Sequence, residues 1–133
     1  MPPTPQTSAK VDCTSLIMKT IIAGSRNMTP TQEDVRTLNK FLASISEVVS
    51  GTARGADTFG ENWAKAHKIP LKKFPAEWKK YGRAAGPIRN KQMAEYSDQL
   101  IAFLYPNSRG TVNMINQAKK LGLKVHIIEK EDL

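Results

Sequence analysis

Short apolar runs alternate with longer segments of helical spacing along most of this chain, and glycine or proline stands at most of the junctions. The runs are Leu16 to Ala23, Glu47 to Ser50, Leu71 to Phe74, Gln99 to Tyr105 and Lys124 to Ile128. Such alternation is typical of βα units, in which helices connect parallel strands by right-handed crossovers. The sequence therefore predicts an α/β fold and excludes all-helical and all-β architectures.

The commonest sheet built from five such units has the strand order 3-2-1-4-5. We therefore expect a single Rossmann-like, doubly wound, mainly parallel five-stranded sheet with helices on both faces. Residues 1–15 hold three prolines and no periodic apolar pattern, which predicts a flexible N-terminal arm. Residues 16–133 are predicted to form one ligand-binding domain, a size that one hydrophobic core can support.

Several classes of protein are excluded by composition. The longest uncharged apolar runs are strand-sized, far below the roughly 20 residues of a membrane-spanning helix, and the first residues do not resemble a signal peptide. We therefore expect a cytoplasmic protein without membrane contact. The single cysteine, Cys13, has no disulfide partner, and His67 and His126 stand alone, so neither a metal site nor a cofactor is expected.

The net charge of +8 comes from one quarter of the chain. Between Lys65 and Lys91 there are nine Lys or Arg residues and one acid, Glu77, whereas the rest of the chain holds eleven of each sign. A clustered basic surface attracts polyphosphates, nucleic acids and small anions alike, so the sign of the charge does not select the partner.

Three glycine-containing loops are predicted to meet where the crossover direction of the sheet reverses. They are Gly24-Ser25-Arg26, Gly51-Thr52-Ala53-Arg54-Gly55 and Ser108-Arg109-Gly110-Thr111. Helix N-termini present unpaired N–H groups to an anion, and glycine allows it to approach closely. No Walker A motif and no GxGxxG is present, which argues against ordinary nucleotide hydrolysis and standard dinucleotide binding.

Residues outside these loops complete the predicted site. Trp78 and Tyr81 lie in a long loop, Ala76 to Gly86, and are suited to stacking on a base, and Asp57 either caps its helix or bonds a ribose hydroxyl. We expect Trp78 and Arg89 to form a lid. The predicted ligand-binding residues are Gly24, Ser25, Arg26, Gly51, Thr52, Ala53, Gly55, Ala56, Asp57, Trp78, Arg89, Asn90, Ser108, Arg109, Gly110 and Thr111.

The same motifs, taken in order from about Lys19 to Ile128, resemble one known family. They are Ile21 to Arg26, Ser50 to Asp57 with Trp63-Ala64, Phe74 to Trp78 with Tyr81-Gly82, Ala85 to Asn90 with Met93, and Ser108 to Thr111 with Met114-Ile115. Together they resemble the YspA-like branch of the SLOG superfamily. For this branch the resemblance implies ligand binding more firmly than any reaction.

The resemblance implies three alternative functions. The first is binding of a phosphate-bearing, nucleotide-derived signal, such as an ADP-ribose-like molecule or a cyclic nucleotide, by a sensor or sequestering protein in conflict between bacteria and phages. The second is cleavage of a nucleoside phosphate, as in the LOG-type phosphoribohydrolases, but Met114 stands where their motif has its catalytic Glu. Asp57 and Glu77 are then the candidate carboxylates, and whether the chain is an enzyme stays open. The third is single-stranded nucleic-acid binding, as in DprA. The superfamily also implies a homo-oligomer, either a dimer or a tetramer.

Overall fold

The computed structural model describes residues 17–26, 28–52 and 55–130, so the predicted arm, Cys13 and Ala53 lie outside the described residues. Five strands alternate with helices along the chain. The strands are β1 (Met18–Gly24), β2 (Ile45–Ser50), β3 (Leu71–Lys73), β4 (Gln99–Leu104) and β5 (Lys124–Glu129). The helices are α1 (Gln32–Lys40), α2 (Ala56–Ala66), α3 (Trp78–Tyr81), α4 (Ala85–Tyr96) and α5 (Arg109–Lys120), with short 3₁₀ turns at Leu42–Ser44 and Gly82–Ala84.

All five strands form one parallel sheet in the order β3-β2-β1-β4-β5. This confirms the predicted strand order and the Rossmann-like α/β fold. β1 lies at the centre, and Gly24 at its end is in register with Phe103 of β4. The carboxyl ends of β2, β1 and β4 are therefore side by side, so the loops that follow them begin at the same edge of the sheet.

Alternate residues of β1 point to two separate core layers, as the period of a strand requires. Ile22 packs in the layer that contains Leu38 of α1 and Trp63 of α2. Ile21 packs on the opposite face, in the layer that contains Met93 of α4 and Met114 of α5. Helices therefore cover both faces of the sheet, and Trp63 is the core residue that its spacing predicts.

Two glycines allow α2 to lie close to the central strand. A Cβ at Gly60 would stand 2.9 Å from the Cβ of Ile22, and one at Gly24 would stand 2.8 Å from the Cβ of Ala56. Larger residues at either position would push the N-terminal half of α2 away from the end of β1. This close packing fixes the position of α2 against the end of β1, where the loops of the candidate site begin.

Local signals fix the start of α1 and its contact with the end of β5. Thr31 caps the helix, because its hydroxyl accepts the backbone N–H of Asp34 at 3.2 Å and the Asp34 carboxylate accepts the N–H of Thr31 at 3.0 Å. The same buried carboxylate pairs with the ammonium of Lys130 at 2.6 Å, and this hydrogen bond raises the pKa of Lys130. The segment after β5 is thereby tied to α1.

The expectation of an irregular loop from Ala76 to Gly86 is wrong. Helix α3 and a 3₁₀ turn occupy most of it, and α4 begins at Ala85. Neither α3 nor the turn has a buried residue, so no apolar period marks them in the sequence. Gly82 ends α3 with a φ of +56°, a conformation that favours glycine. Strand β2 also begins earlier than predicted, at Ile45.

Candidate functional site

The three predicted loops meet at the carboxyl edge of the sheet around a cleft of about 950 Å³. The lining includes every predicted ligand-binding residue except Thr52, Gly55 and Ala56, with Ala53 outside the described residues. Twelve of the sixteen predicted positions thus lie around one cleft. Its volume is at the upper end of the range typical of small-molecule sites.

The three predicted residues that do not line the cleft support the loops that do. The N–H of Ala56 donates to the carbonyl of Ser25 at 3.1 Å. Gly55 has a φ of +70°, and a Cβ there would stand 2.6 Å from the carbonyl carbon of Arg26. Thr52 is exposed, and its N–H donates to the Ser50 hydroxyl at 3.0 Å. Ala56 and Gly55 therefore pack the start of α2 against the β1–α1 loop, whereas the contact of Thr52 stays within the segment that follows β2.

Arg89 belongs to the wall of the cleft. Its Nη1 donates to the carbonyl of Gly51, and its Nε donates to Oδ1 of Asn90 at 3.1 Å. Burial lowers the pKa of Arg89, with Asp57 opposing the shift and Arg26 adding to it, although an arginine remains charged at neutral pH. Arg89 therefore connects the β2–α2 loop to α4, and the expectation that it forms a lid is wrong.

A second set of hydrogen bonds connects α4 to α5. The side-chain N–H groups of Asn90 donate to Oδ1 of Asn113 at 2.9 Å and to the carbonyl of Gly110 at 3.4 Å. Asn113 lines the cleft but is absent from the predicted site. It stands three residues after Gly110, on the same face of α5, so helical spacing from the predicted loop was the signal that could have found it.

The loop between β4 and α5 directs a helix N-terminus at the cleft. The first backbone bond of α5 runs from the N–H of Val112 to the carbonyl of Ser108 at 3.0 Å. The N–H groups that precede Val112 in the helix therefore have no intrahelical partner. A Cβ at Gly110 would meet no atom within 4 Å, so space is open in front of this first turn.

Trp78 lines the cleft with half of its surface exposed. The guanidinium of Arg26 lies 5.9 Å from the centre of the indole, within the range of a cation–π contact. Tyr81, the other half of the predicted stacking platform, is not among the lining residues, and the ammonium of Lys80 lies 5.1 Å from its ring. The structure therefore brings one of the two aromatic residues to the cleft.

The two candidate carboxylates are separated. Asp57 lines the cleft beside Arg89, whereas Glu77 is exposed and does not line it. The N-cap of α2 is Gly55, and Asp57 lies in the first turn of the helix, so its choice between a capping role and a ribose contact stays a prediction. Met114, in the position of the catalytic Glu of the resembled enzymes, lines the cleft and is 2% exposed.

Among the residues that the structure describes, the charged side chains of the lining are four arginines and one acid, namely Arg26, Arg83, Arg89, Arg109 and Asp57. Lysine is absent from the lining residues, and the seven lysines of the Lys65 to Lys91 cluster are all exposed outside it. No group of three or more His, Cys, Asp or Glu suited to a metal ion occurs among the described residues. Within the same residues, no helix is long and apolar enough to cross a membrane.

A doubly wound parallel sheet with a cleft at its reversal point defines a Rossmann-like domain. The chain belongs to the YspA, cpYpsA-related SLOG family, whose model matches residues 18–81. The match covers the loops after β1 and β2 and ends at α3, so Arg89, Asn113 and the β4–α5 loop lie beyond it.

Two known proteins share sequence or fold with this chain. The Gene 61 protein of Mycobacterium phage D29 is 33% identical over 84 residues, which is 59% of this chain and 67% of that protein. The X-ray structure of DNA processing protein A (DprA) from Streptococcus pneumoniae superposes with a TM-score of 0.64 at 17% identity. The superposition covers 84% of this chain and 50% of DprA, so this chain spans half the length of that structure, and the likeness concerns the fold alone.

Proposed function

We propose that this chain binds a phosphate-bearing, nucleotide-derived small molecule in the cleft, as a sensor or a sequestering protein. The observation that carries the proposal is the grouping, among the described residues, of four arginines with one carboxylate, Asp57, around a cleft that also receives the N-terminus of α5. An excess of fixed positive charge in a concave site is favourable for an anion and unfavourable for most other ligands.

The type of cation supports phosphate as the anion. A guanidinium presents a planar fork of donors that matches two phosphate oxygens, whereas an ammonium is a strongly hydrated point charge. The backbone donors of Gly110 and its neighbours at the start of α5 add a second kind of phosphate contact. Arginine side chains and helix N–H groups together resemble the contacts by which proteins hold phosphate esters.

The indole of Trp78 supports a nucleotide as the carrier of the phosphate. Half of its surface is exposed, and it lines the cleft with the arginines. Stacking of a base on such a ring contributes about 1–3 kcal/mol. A ligand with a base at Trp78 and phosphate at the β4–α5 loop would contact both the aromatic and the basic residues of the lining.

Binding fits the chemistry of the lining better than cleavage does. General acid–base catalysis at a sugar needs a carboxylate or a similar group. Met114 is apolar and its neighbour Asn113 is neutral, with its carbonyl oxygen engaged by Asn90. Asp57 is the carboxylate of the lining, so base cleavage is the second candidate and rests on that residue.

Thermal unfolding against a panel of nucleoside phosphates, cyclic nucleotides and ADP-ribose tests the proposal. A ligand at a hundred times its Kd stabilises the native state by about 2.7 kcal/mol, which corresponds to roughly 5–10 °C for a chain of this size. We expect at least one phosphate-bearing nucleotide to raise the melting temperature, and the matching nucleoside without phosphate to leave it unchanged. A panel without any shift contradicts the proposal.

The substitution Gly110→Asp locates the binding. It adds a carboxylate at the first turn of α5, in open space beside the expected phosphate, and should abolish the thermal shift. Asn116→Asp is the matched control, because it adds the same charge to an exposed position of the same helix. Equal loss of the shift in both variants contradicts binding at the β4–α5 loop.

Two wider expectations belong to the same proposal. The relative in a mycobacteriophage supports a role in conflict between bacteria and phages. The superfamily resemblance supports a homo-oligomer, and light scattering on the purified chain distinguishes a monomer from a dimer or a tetramer.

A further inference from the structure

The carboxamide of Asn90 uses its polar atoms inside the wall of the cleft. An arginine side chain has donors and no acceptor, so the Nε of Arg89, 3.1 Å away, can bond Asn90 only at its oxygen. The nitrogen of the same carboxamide is then turned the other way, where it donates to Gly110 and Asn113. Asn90 is 8% exposed, and its orientation is therefore fixed from within the protein.

The orientation of Asn90 determines that of Asn113. The nitrogen of Asn90 is a donor, so the atom of Asn113 that stands 2.9 Å from it must be the acceptor Oδ1. The Nδ2 of Asn113 lies on the other side of its carboxamide, away from Asn90. It donates to no atom of the residues that the structure describes, although Asn113 lines the cleft and is only partly buried.

We infer that Asn113 is a specificity-determining residue, which presents N–H donors and no acceptor to the ligand, and that Arg89 and Asn90 are positioning residues behind it. The inference rests on the proposed function and names a group that the ligand must carry, an acceptor oxygen at Asn113. A carboxamide that rotates freely accepts either kind of partner. Here a half-turn of Asn113 would set its nitrogen against the nitrogen of Asn90 and leave a donor without an acceptor, which is unfavourable.

The donors of Asn113 continue a row that begins at the first turn of α5. Asn113 stands three residues after Gly110, so the two residues lie on the same face of the helix. The helix has no acidic residue, and Met114, the next residue of its lining, is apolar. This face of the cleft therefore suits a ligand rich in oxygen, whether the oxygen that meets Asn113 belongs to a phosphate or to a nucleoside.

Proton–nitrogen correlation spectra of the isotope-labelled full chain test the inference, because they observe the side-chain N–H groups of Asn113 directly. The probes are ribonucleoside monophosphates, the matching deoxyribonucleoside monophosphates and inorganic phosphate. We expect the carboxamide resonances of Asn113, assigned by their loss in Asn113→Asp, to shift with at least one probe. Those of Asn116, at an exposed position of the same helix, should stay in place.

The pattern of shifts distinguishes the sources of the oxygen. A shift with inorganic phosphate assigns the acceptor to the phosphate. A shift with ribonucleotides alone assigns it to the ribose hydroxyl that deoxynucleotides lack. A shift with both kinds of nucleotide, but not with inorganic phosphate, assigns it to another oxygen of the nucleoside.

The substitution Asn113→Asp measures what the donors contribute. The aspartate still accepts the bond from Asn90 but turns a carboxylate oxygen toward the ligand. We expect calorimetric affinity for the probe that shifts the spectrum to fall about tenfold or more. Asn116→Asp is the matched control, because it adds the same charge at an exposed position, and it should change affinity by less than about twofold.

The substitution Asn90→Asp tests the positioning role, because it leaves Asn113 unaltered. An aspartate accepts from Arg89 but has no N–H to give, so Asn113 can turn its nitrogen inward and its oxygen toward the cleft. We expect the Asn113 resonances to move in the variant without ligand and to lose their response to the probe. A response equal to that of the unaltered protein overturns the positioning role. The melting temperature of each variant without ligand confirms that it is folded.

The outcomes separate this inference from the function on which it rests. If a nucleotide raises the melting temperature but no probe moves the Asn113 resonances, the inference is wrong and nucleotide binding stands. Equal affinity of Asn113→Asp and Asn116→Asp overturns the requirement for donors. Absence of binding by every nucleotide overturns the proposed function, and this inference with it.

Discussion

The basic residues between Lys65 and Lys91 form one cluster in the sequence but belong to two different regions of the molecule. Arg83 and Arg89 line the cleft, where Arg89 is partly buried and hydrogen-bonded to Gly51 of the β2–α2 loop and to Asn90 of its own helix. The seven lysines of the cluster are exposed and do not line it. The division follows the type of cation, because the described residues of the lining include arginines and no lysine.

Under the proposed function, the arginines of the cleft recognise the ligand, whereas the exposed lysines only attract it. An arginine held in a wall has its donors fixed in direction, so it selects a ligand by geometry as well as by charge. An exposed lysine contributes to the field of the whole molecule, and that field is screened over about 8 Å at physiological ionic strength. The net charge of +8 therefore says less about the partner than the four arginines of the cleft do.

The largest effect is expected from Arg89, which is the most embedded cation of the cleft. Arg89→Met removes the donors to Gly51 and Asn90 together with a charge of the lining. We expect a loss of affinity of about 100-fold, roughly 2.7 kcal/mol, for the ligand that the thermal panel identifies. Calorimetric titration measures it.

Arg89→Lys separates the two contributions of that residue. Lysine keeps the charge but cannot direct donors to both acceptors, so an intermediate loss of about tenfold is expected. If the lysine variant binds as well as the unaltered protein, the paired donors of the guanidinium do not contribute to affinity. The cleft and the lysine region would then differ only in where their cations lie. Gly51 is part of the same arrangement, because a Cβ there would stand 2.8 Å from Cζ of Arg89.

The fold was predictable because its signals are local and repeated. The apolar runs mark the strands, and Thr31 with Asp34 marks the start of α1. The reversal of crossover direction then determines which loops meet, and this is why most predicted residues lie around one cleft. The helix at Trp78–Tyr81 was missed because it buries no side chain and has no apolar period.

The roles of individual site residues were less predictable, because they depend on contacts between distant segments. Arg89 and Gly51 are 38 residues apart in sequence, and Asn90 and Asn113 are 23 apart. Neither pair has a local motif. Tyr81 was assigned to the site with Trp78 because both are aromatic residues of the same segment. Of these two, Trp78 lines the cleft and Tyr81 does not.

An effect of intermediate size is expected from Asp57, the acid among the described residues of the lining. Asp57→Asn removes negative charge from the cleft and also removes the attraction between Asp57 and Arg89. The first change favours an anionic ligand and the second loosens the wall, so we expect affinity to change by less than about fivefold, or 1 kcal/mol.

The same variant discriminates between binding and cleavage. Chromatography of nucleoside monophosphates after incubation with the unaltered protein should show no released base. Base release that disappears in Asp57→Asn contradicts a receptor and assigns Asp57 to catalysis. Glu77→Gln is the matched control, since this exposed carboxylate is outside the cleft.

The smallest effect on the small-molecule ligand is expected from the lysine region. Lys73, Lys79 and Lys91 are exposed and absent from the cleft lining, so replacing all three with Gln removes three charges without touching the site. Affinity for the nucleotide at physiological salt should change less than twofold, because screening weakens the field of these lysines over the distance to the cleft.

For a single-stranded oligonucleotide, three lost phosphate contacts would reduce the slope of log K against log salt by about two. A slope that decreases in this way, with binding that survives physiological salt, would give the lysine region a nucleic-acid function of its own. An unchanged or absent response leaves recognition to the arginines of the cleft.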